Sequence, residues 1–129
     1  MKVTRTTLPD DFFLGLDAFN QGLYYDAHEH FENAWRNTPG EEREFFRAFL
    51  HLSGGFYRLT QNRPGAARKF FTHAEKWFIR FPDQLYGFDL GWIRNHLQHL
   101  IRSIDRNIPS ELILSAQFQP IHPVKGRSA

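Results

Sequence analysis

The chain has 129 residues, with 16 Lys and Arg against 14 Asp and Glu, a net charge of +2 with histidine neutral, and no cysteine. That length suits one domain around a single core, and the missing cysteines exclude disulfides, thiolate metal sites and cysteine nucleophiles. The basic residues form no concentrated stripe with interleaved stacking groups, so no nucleic-acid partner is expected. No apolar run approaches the roughly 20 residues of a membrane span, and the N-terminus lacks the apolar region of a signal peptide; the expectation is a cytoplasmic protein with no membrane partner.

Residues 1–7 are polar. Thr7-Leu8-Pro9-Asp10-Asp11 reads as a helix start, with Pro near the first turn and acids at the positive end of the dipole. Phe12, Phe13, Leu16 and Phe19 continue at helical spacing, and Asn20-Gln21-Gly22 ends the element. A second helix follows to about Asn37. At about 100° per residue, Leu23, Tyr24, Ala27, Phe31, Ala34 and Trp35 fall in an arc of roughly 120°, with His28 and Glu32 one turn apart just beyond its Trp35 edge.

Thr38-Pro39-Gly40-Glu41 reads as a restart, with Thr38 as N-cap, Pro39 at the first helical position and Glu41 closing a capping box. The third helix, to about Gln61, has an apolar arc of roughly 200°, which makes it central. Phe45, Phe46, Phe49, Leu50, Leu52, Phe56, Tyr57 and Leu59 lie in that arc, and Glu44, Arg47, His51 and Arg58 on the narrow polar side. Ser53, Gly54 and Gly55 lower helix propensity and mark a place where another helix comes close. After Asn62-Arg63-Pro64-Gly65, the set Ala67, Phe70, Phe71, Ala74, Trp77, Phe78 and Phe81 gives a fourth helical stripe, stopped at Pro82-Asp83. Asp89 caps a fifth helix that buries Trp92, Ile93, Leu97, Leu100, Ile101 and Ile104. Past Asn107-Ile108-Pro109 the pattern decays, with room for a short turn of helix at 110–116. No stretch shows strand alternation.

Ala27, Phe31 and Ala34 recur 40 residues later as Ala67, Phe71 and Ala74. The order Gly22, Tyr24, Ala27, Phe31, Ala34, Pro39 resembles the second helix of a tetratricopeptide repeat. Two imperfect units are too few for an open array, so the expected class is all-α: a compact bundle of about five helices with tetratricopeptide-like hairpin packing. The expected domain is residues 1–107, with an extended or disordered tail at 108–129.

His28 and Glu32 place one nitrogen and one oxygen ligand on the same helical face, a pair that suits zinc, manganese or iron once a third ligand joins them. His51 is the preferred third group, Tyr25 can add a hydroxyl, and Glu29 can act as an acceptor behind the ligands or as a base. His30 lies roughly 200° around the helix from His28 and cannot share a ligand with it. His96 reads as a core histidine, and His73, His99 and His122 as surface or tail residues. The competing reading makes His28 and Glu32 a hydrogen-bonded pair that caps the core edge. The Arg47/His51/Arg58 stripe can bind an anion, with a solvated face as the favoured reading.

The stretch Tyr24-Tyr25-Asp26-Ala27-His28-Glu29-His30-Phe31-Glu32-Asn33-Ala34-Trp35 resembles the signature of domain of unknown function 309: His, three residues, Glu, two residues, then Trp or Tyr. The likeness runs on through Gly40-Glu41-Glu42-Arg43 and Arg63-Pro64-Gly65-Ala66-Ala67, covering residues 15 to 105. It implies a helical fold and a suspected metal site at His28 and Glu32 with Trp35 packed against them; some family members carry a metal-dependent hydrolase label. The family tends to have Gln where this chain has Arg47 and His51. The functional expectation is a metal- or small-ligand-binding site on His28, Glu32 and Trp35, flanked by Tyr25, Arg47 and His51. If it is hydrolytic, Glu29 or Glu32 handles the proton. The alternative is a non-enzymatic adaptor that holds a protein partner. The sequence leaves the oligomeric state open.

Overall fold

The structure, a computed structural model, describes residues 8–116 and 120–123. The polar start at 1–7 and much of the expected tail, at 117–119 and 124–129, lie outside the described residues. The element order is α1 (Asp10–Asn20), α2 (Tyr24–Asn37), α3 (Glu42–Thr60), α4 (Pro64–Phe78), β1 (Gln84–Leu85), β2 (Phe88–Asp89), α5 (Leu90–Asp105) and α6 (Ser110–Ser115).

Three helices end by the same device. After α1, Gly22 takes φ 82°, and the amides of Leu23 and Gly22 return to the carbonyls of Ala18 and Phe19 at 2.9 and 3.0 Å. Asn62 and Asn107, with φ 56° and 61°, close α3 and α5 with the same pair of bonds. This is the left-handed cap that satisfies the last carbonyls of a helix, and Asn is the side chain that tolerates it best after Gly. At the other end of α5, the Asp89 carboxylate accepts from the Trp92 amide at 3.0 Å, as expected.

The aromatic interior follows from the 14 Phe of the sequence. α3 lies at its centre, packed against α2, α4 and α6. It buries Phe45, Phe46, Phe49, Leu52, Phe56 and Leu59. The echo at 40 residues is structural: Ala27, Phe31, Ala34, Ala67, Phe71 and Ala74 are all fully buried. It also extends to two glycines, Gly55 and one the sequence reading passed over, Gly15. A Cβ on Gly15 would sit 2.7 Å from Phe31, and one on Gly55 would sit 2.4 Å from Phe71. Gly54 meets Phe70 in the same way at 2.8 Å, so the Gly54-Gly55 pair does mark a close helix approach, that of α4.

Four expectations need correction. Thr38 is not an N-cap: it is extended at the end of α2, Gly40 takes φ 82°, and α3 begins only at Glu42 with no side-chain cap. The left-handed Gly40 turns the chain between Pro39 and Glu41, so the capping box cannot form. Leu23 is 48% exposed because α2 starts one residue later and leaves it outside the apolar stripe. Trp92 and Ile101, expected within the buried face of α5, are only half-buried. A two-stranded antiparallel hairpin also stands where no strand was expected. It turns through Tyr86 (φ 53°) and Gly87 (φ 86°), places Phe88 in the core and delivers Asp89 to its cap.

Within the expected tail, α6 buries Ser110 and Ile113, and Ile121 is 4% exposed. The Asn20 side-chain amide donates to the Ile121 carbonyl at 2.9 Å and accepts from its amide at 2.8 Å. One side chain thereby binds this segment to the end of α1 as a neighbouring strand would.

Candidate functional site

α2 presents His28, Glu29 and Glu32 on one side, because residues one and four apart lie about 100° and 40° around a helix. One donor atom from each lies within 4.8 Å of the others. His28 and Glu32 are half-buried and Glu29 is exposed. His28 Nδ1 is shielded from water and makes no hydrogen bond. Burial holds the His28 imidazole below its ordinary pKa, Glu32 and Glu29 pull it back up, and Arg58 pushes it down. The neutral ring is the form that can give a lone pair to a metal. Glu32 Oε2 accepts from Arg36 at 2.7 Å across the solvent-facing side.

One imidazole and two carboxylates are the donor types that an ion of the zinc, manganese or iron class takes. With bonds of about 2.1 Å, tetrahedral donors stand about 3.4 Å apart. Closing the cluster to that spacing needs side-chain rotation, which the exposed Glu29 is free to supply.

His51 stands outside that cluster. Its ring lies 5.4 Å from His73 and 6.0 Å from Phe70, both on α4, and its Nδ1 is also shielded and unbonded. Burial first, then the fields of His73, Arg47 and His28, push its pKa down from 6.5 to about 4. The sign follows by linkage: between those values the unfolded chain binds the proton more readily, so stability falls as pH drops through the window. We expect the midpoint of urea unfolding to decline from pH 6.5 to pH 4. His51→Gln should remove about 1–2 kcal/mol of that decline, a figure already discounted for the partial exposure of His51. An equal pH slope in the variant would contradict the assignment.

The remaining expected site residues divide between two places. Trp35 has a shielded, unbonded Nε1, and the guanidinium carbons of Arg43 and Arg47 lie 4.7 and 5.0 Å from its ring. Arg47 also rests 4.5 Å from Trp77 and pairs with Glu44 at 3.0 Å, misaligned for a hydrogen bond. Tyr25 is 52% exposed and lies 5.2 Å from Tyr57, lining a shallow hollow of about 320 Å³ at the start of α2. Two further hollows lie against α5, one of about 430 Å³ beside Asp89, Trp92 and His96, and an apolar one of about 340 Å³ beside Leu100 and Leu112.

His30 contacts Asp11 at 3.1 Å, on the side of α2 away from His28. His96 is half-buried, not interior; its Nδ1 faces the Trp92 carbonyl at 3.2 Å and its ring lies tilted by 41° against the indole, 4.2 Å between centres. The sequence reading missed Trp77, Arg43 and Arg80 as members of a shared cluster. The spacing of Arg43, Arg47 and His51 at every fourth residue was the available signal.

The family model described as Domain of unknown function (DUF309) matches residues 12–70. An "Uncharacterized protein" of Aquifex aeolicus (strain VF5) is 27% identical over 96 residues, covering 74% of this chain. The match spans 29% of the length of that relative. No helix among the described residues is long and apolar enough to cross a membrane. The matched stretch opens in α1, takes in His28, Glu32, Trp35 and all of α3, and closes on α4; over these residues, under half of its length, the chain is similar to the family of unknown function DUF309.

Proposed function

We propose that this chain is a divalent-metal-binding helical domain, with His28, Glu29 and Glu32 as its protein ligands. The observation that carries the reading is the gathering of those three donors within 4.8 Å on one side of α2. One imidazole with two carboxylates suits zinc, manganese or iron. The unbonded, neutral His28 adds support, because a ligating imidazole must have a lone pair to give. A bound ion of this class lowers the pKa of a coordinated water and so supplies a nucleophile for hydrolysis. His28 and Glu32 are the half-buried holding pair, and Arg36 orients the Glu32 carboxylate. Glu29, the solvent-facing member, is placed to take up and release a proton.

The test is metal analysis and calorimetric titration of protein purified without a histidine tag. Wild type should bind about one zinc or manganese ion per chain, and His28→Ala should weaken binding by about 100-fold or more. A wild type that binds neither ion overturns the proposal. The repeated glycine-on-phenylalanine packing of α1–α2 and α3–α4 favours a second reading, a tetratricopeptide-like adaptor for a protein partner. A metal-free wild type leaves that one standing.

A further inference from the structure

α2, α3 and α4 each contribute to a row of charged and aromatic side chains that the metal reading does not use. α3 supplies Arg43, Arg47 and His51 at four-residue spacing, which places them on one stripe. Trp35 of α2 lies under Arg43 and Arg47, and Trp77 of α4 lies under Arg47 and Arg80, with guanidinium carbons 4.5 to 5.0 Å from the ring centres. A solvated charged face would leave these arginines loose. Held on indole faces, their planar forks have already lost much of their rotamer freedom.

The row also holds shielded polar atoms that have no hydrogen-bond partner. Trp35 Nε1, Arg43 Nε and His51 Nδ1 are all shielded from water and bond nothing among the described residues. The nearby carboxylates are ion-paired, Glu44 with Arg47 and Glu32 with Arg36, and the shielded Glu44 Oε1 accepts no hydrogen bond. A shielded donor left without an acceptor is costly; Trp35 Nε1 and Arg43 Nε are two such donors in one row, and an anion beside them would satisfy both.

We propose that this row is an oxyanion site that takes a phosphate group, with Arg43, Arg47, His51 and the Trp35 indole N–H as donors and the ring faces of Trp35 and Trp77 as walls. The donors come from two helices and include guanidinium forks, an imidazole and an indole. They approach from several directions, which suits the tetrahedral set of acceptors on phosphate better than the single plane of a carboxylate. Inorganic phosphate and a phosphate monoester share this chemistry. None of these residues is among the proposed metal ligands, so the site stands without the metal.

The test uses the indole N–H signals of the three tryptophans in nitrogen-15-labelled full-length protein, with a chelator present. Inorganic phosphate, glycerol phosphate and acetate are titrated in turn, and Trp92 on α5 serves as the internal reference. The expected result is a saturable shift of the Trp35 signal, with a Kd in the millimolar range (about 1–10 mM), and Trp92 unmoved. Arg47→Gln and Arg43→Gln should each weaken binding about tenfold with unaltered thermal unfolding. Tighter binding of glycerol phosphate points to an ester as the natural ligand, and tighter binding of inorganic phosphate to the free ion; both support the site. Drift shared by all three signals without saturation overturns it. So does acetate binding as tightly as phosphate, or an affinity unchanged in both arginine variants. Phosphate binding that appears only when metal replaces the chelator also overturns it, because the anion then belongs to the ion.

Discussion

Phe49→Ala should lower the unfolding free energy by about 3–5 kcal/mol, the largest loss expected from any single truncation here. Phe49 is 1% exposed. Its ring centre lies 5.1 Å from Phe12 and Phe45, 5.2 Å from Phe78, 5.5 Å from Phe31 and 6.3 Å from Phe88. Those neighbours come from α1, α2, α3, α4 and β2, so no one element can shift to fill the hole. The cost is then the lost transfer energy of the ring plus a cavity walled by other rings that are themselves fixed. Urea unfolding followed by circular dichroism measures it. A loss under about 1.5 kcal/mol, as for a volume-conserving change, would mean that Phe49 is not the junction of the core.

Gly55→Ala should destabilise the fold by about 1–3 kcal/mol even though alanine is the better helix former. The new methyl would land 2.4 Å from Cε1 of Phe71, a fully buried ring packed 5.3 Å from Phe56. Either α4 moves away from α3 or the ring leaves its rotamer. Gly65→Ala is the matched control: nothing lies within 4 Å of its Cβ position in the first turn of α4. There the same substitution should stabilise by about 0.5–1 kcal/mol through a stiffer unfolded chain. Opposite signs in thermal melts of the two variants establish the close crossing; a neutral Gly55→Ala removes it.

The helical class, and the ends of α1, α2 and α5 to within a residue or two, were legible because Pro, Gly, Asn and Asp punctuate the chain where backbone geometry demands them. Gly22 can only be read as a stop, and Asp89 only as a start. Gly54 and Gly55 were legible as a close approach because nothing else excuses two glycines within an apolar helix. The failures share a cause. Thr38 and Glu41 had the right chemistry for a capping box, but Gly40 between them set a backbone turn that propensity does not describe. The hairpin at 84–89 has strands of two residues each, too short to show an alternation. Of the candidate site, what lies on one helix could be read: His28, Glu29 and Glu32 follow from α2 alone. His51 against His73, and Arg47 shared by Trp35 and Trp77, depend on which helices flank α3, and that is decided by packing.

The phenylalanine-built interior has a chemical consequence apart from its stability. The chain has no cysteine, and its single methionine is residue 1, so the buried cluster of the described residues contains no sulfur. Its gaps are filled by rings, where many proteins use thioethers, and peroxide has no thiol or thioether there to convert into a polar group. Among the described residues the half-buried indoles of Trp35, Trp77 and Trp92 are then prominent oxidisable groups, and the packing beneath them holds no sulfur to oxidise.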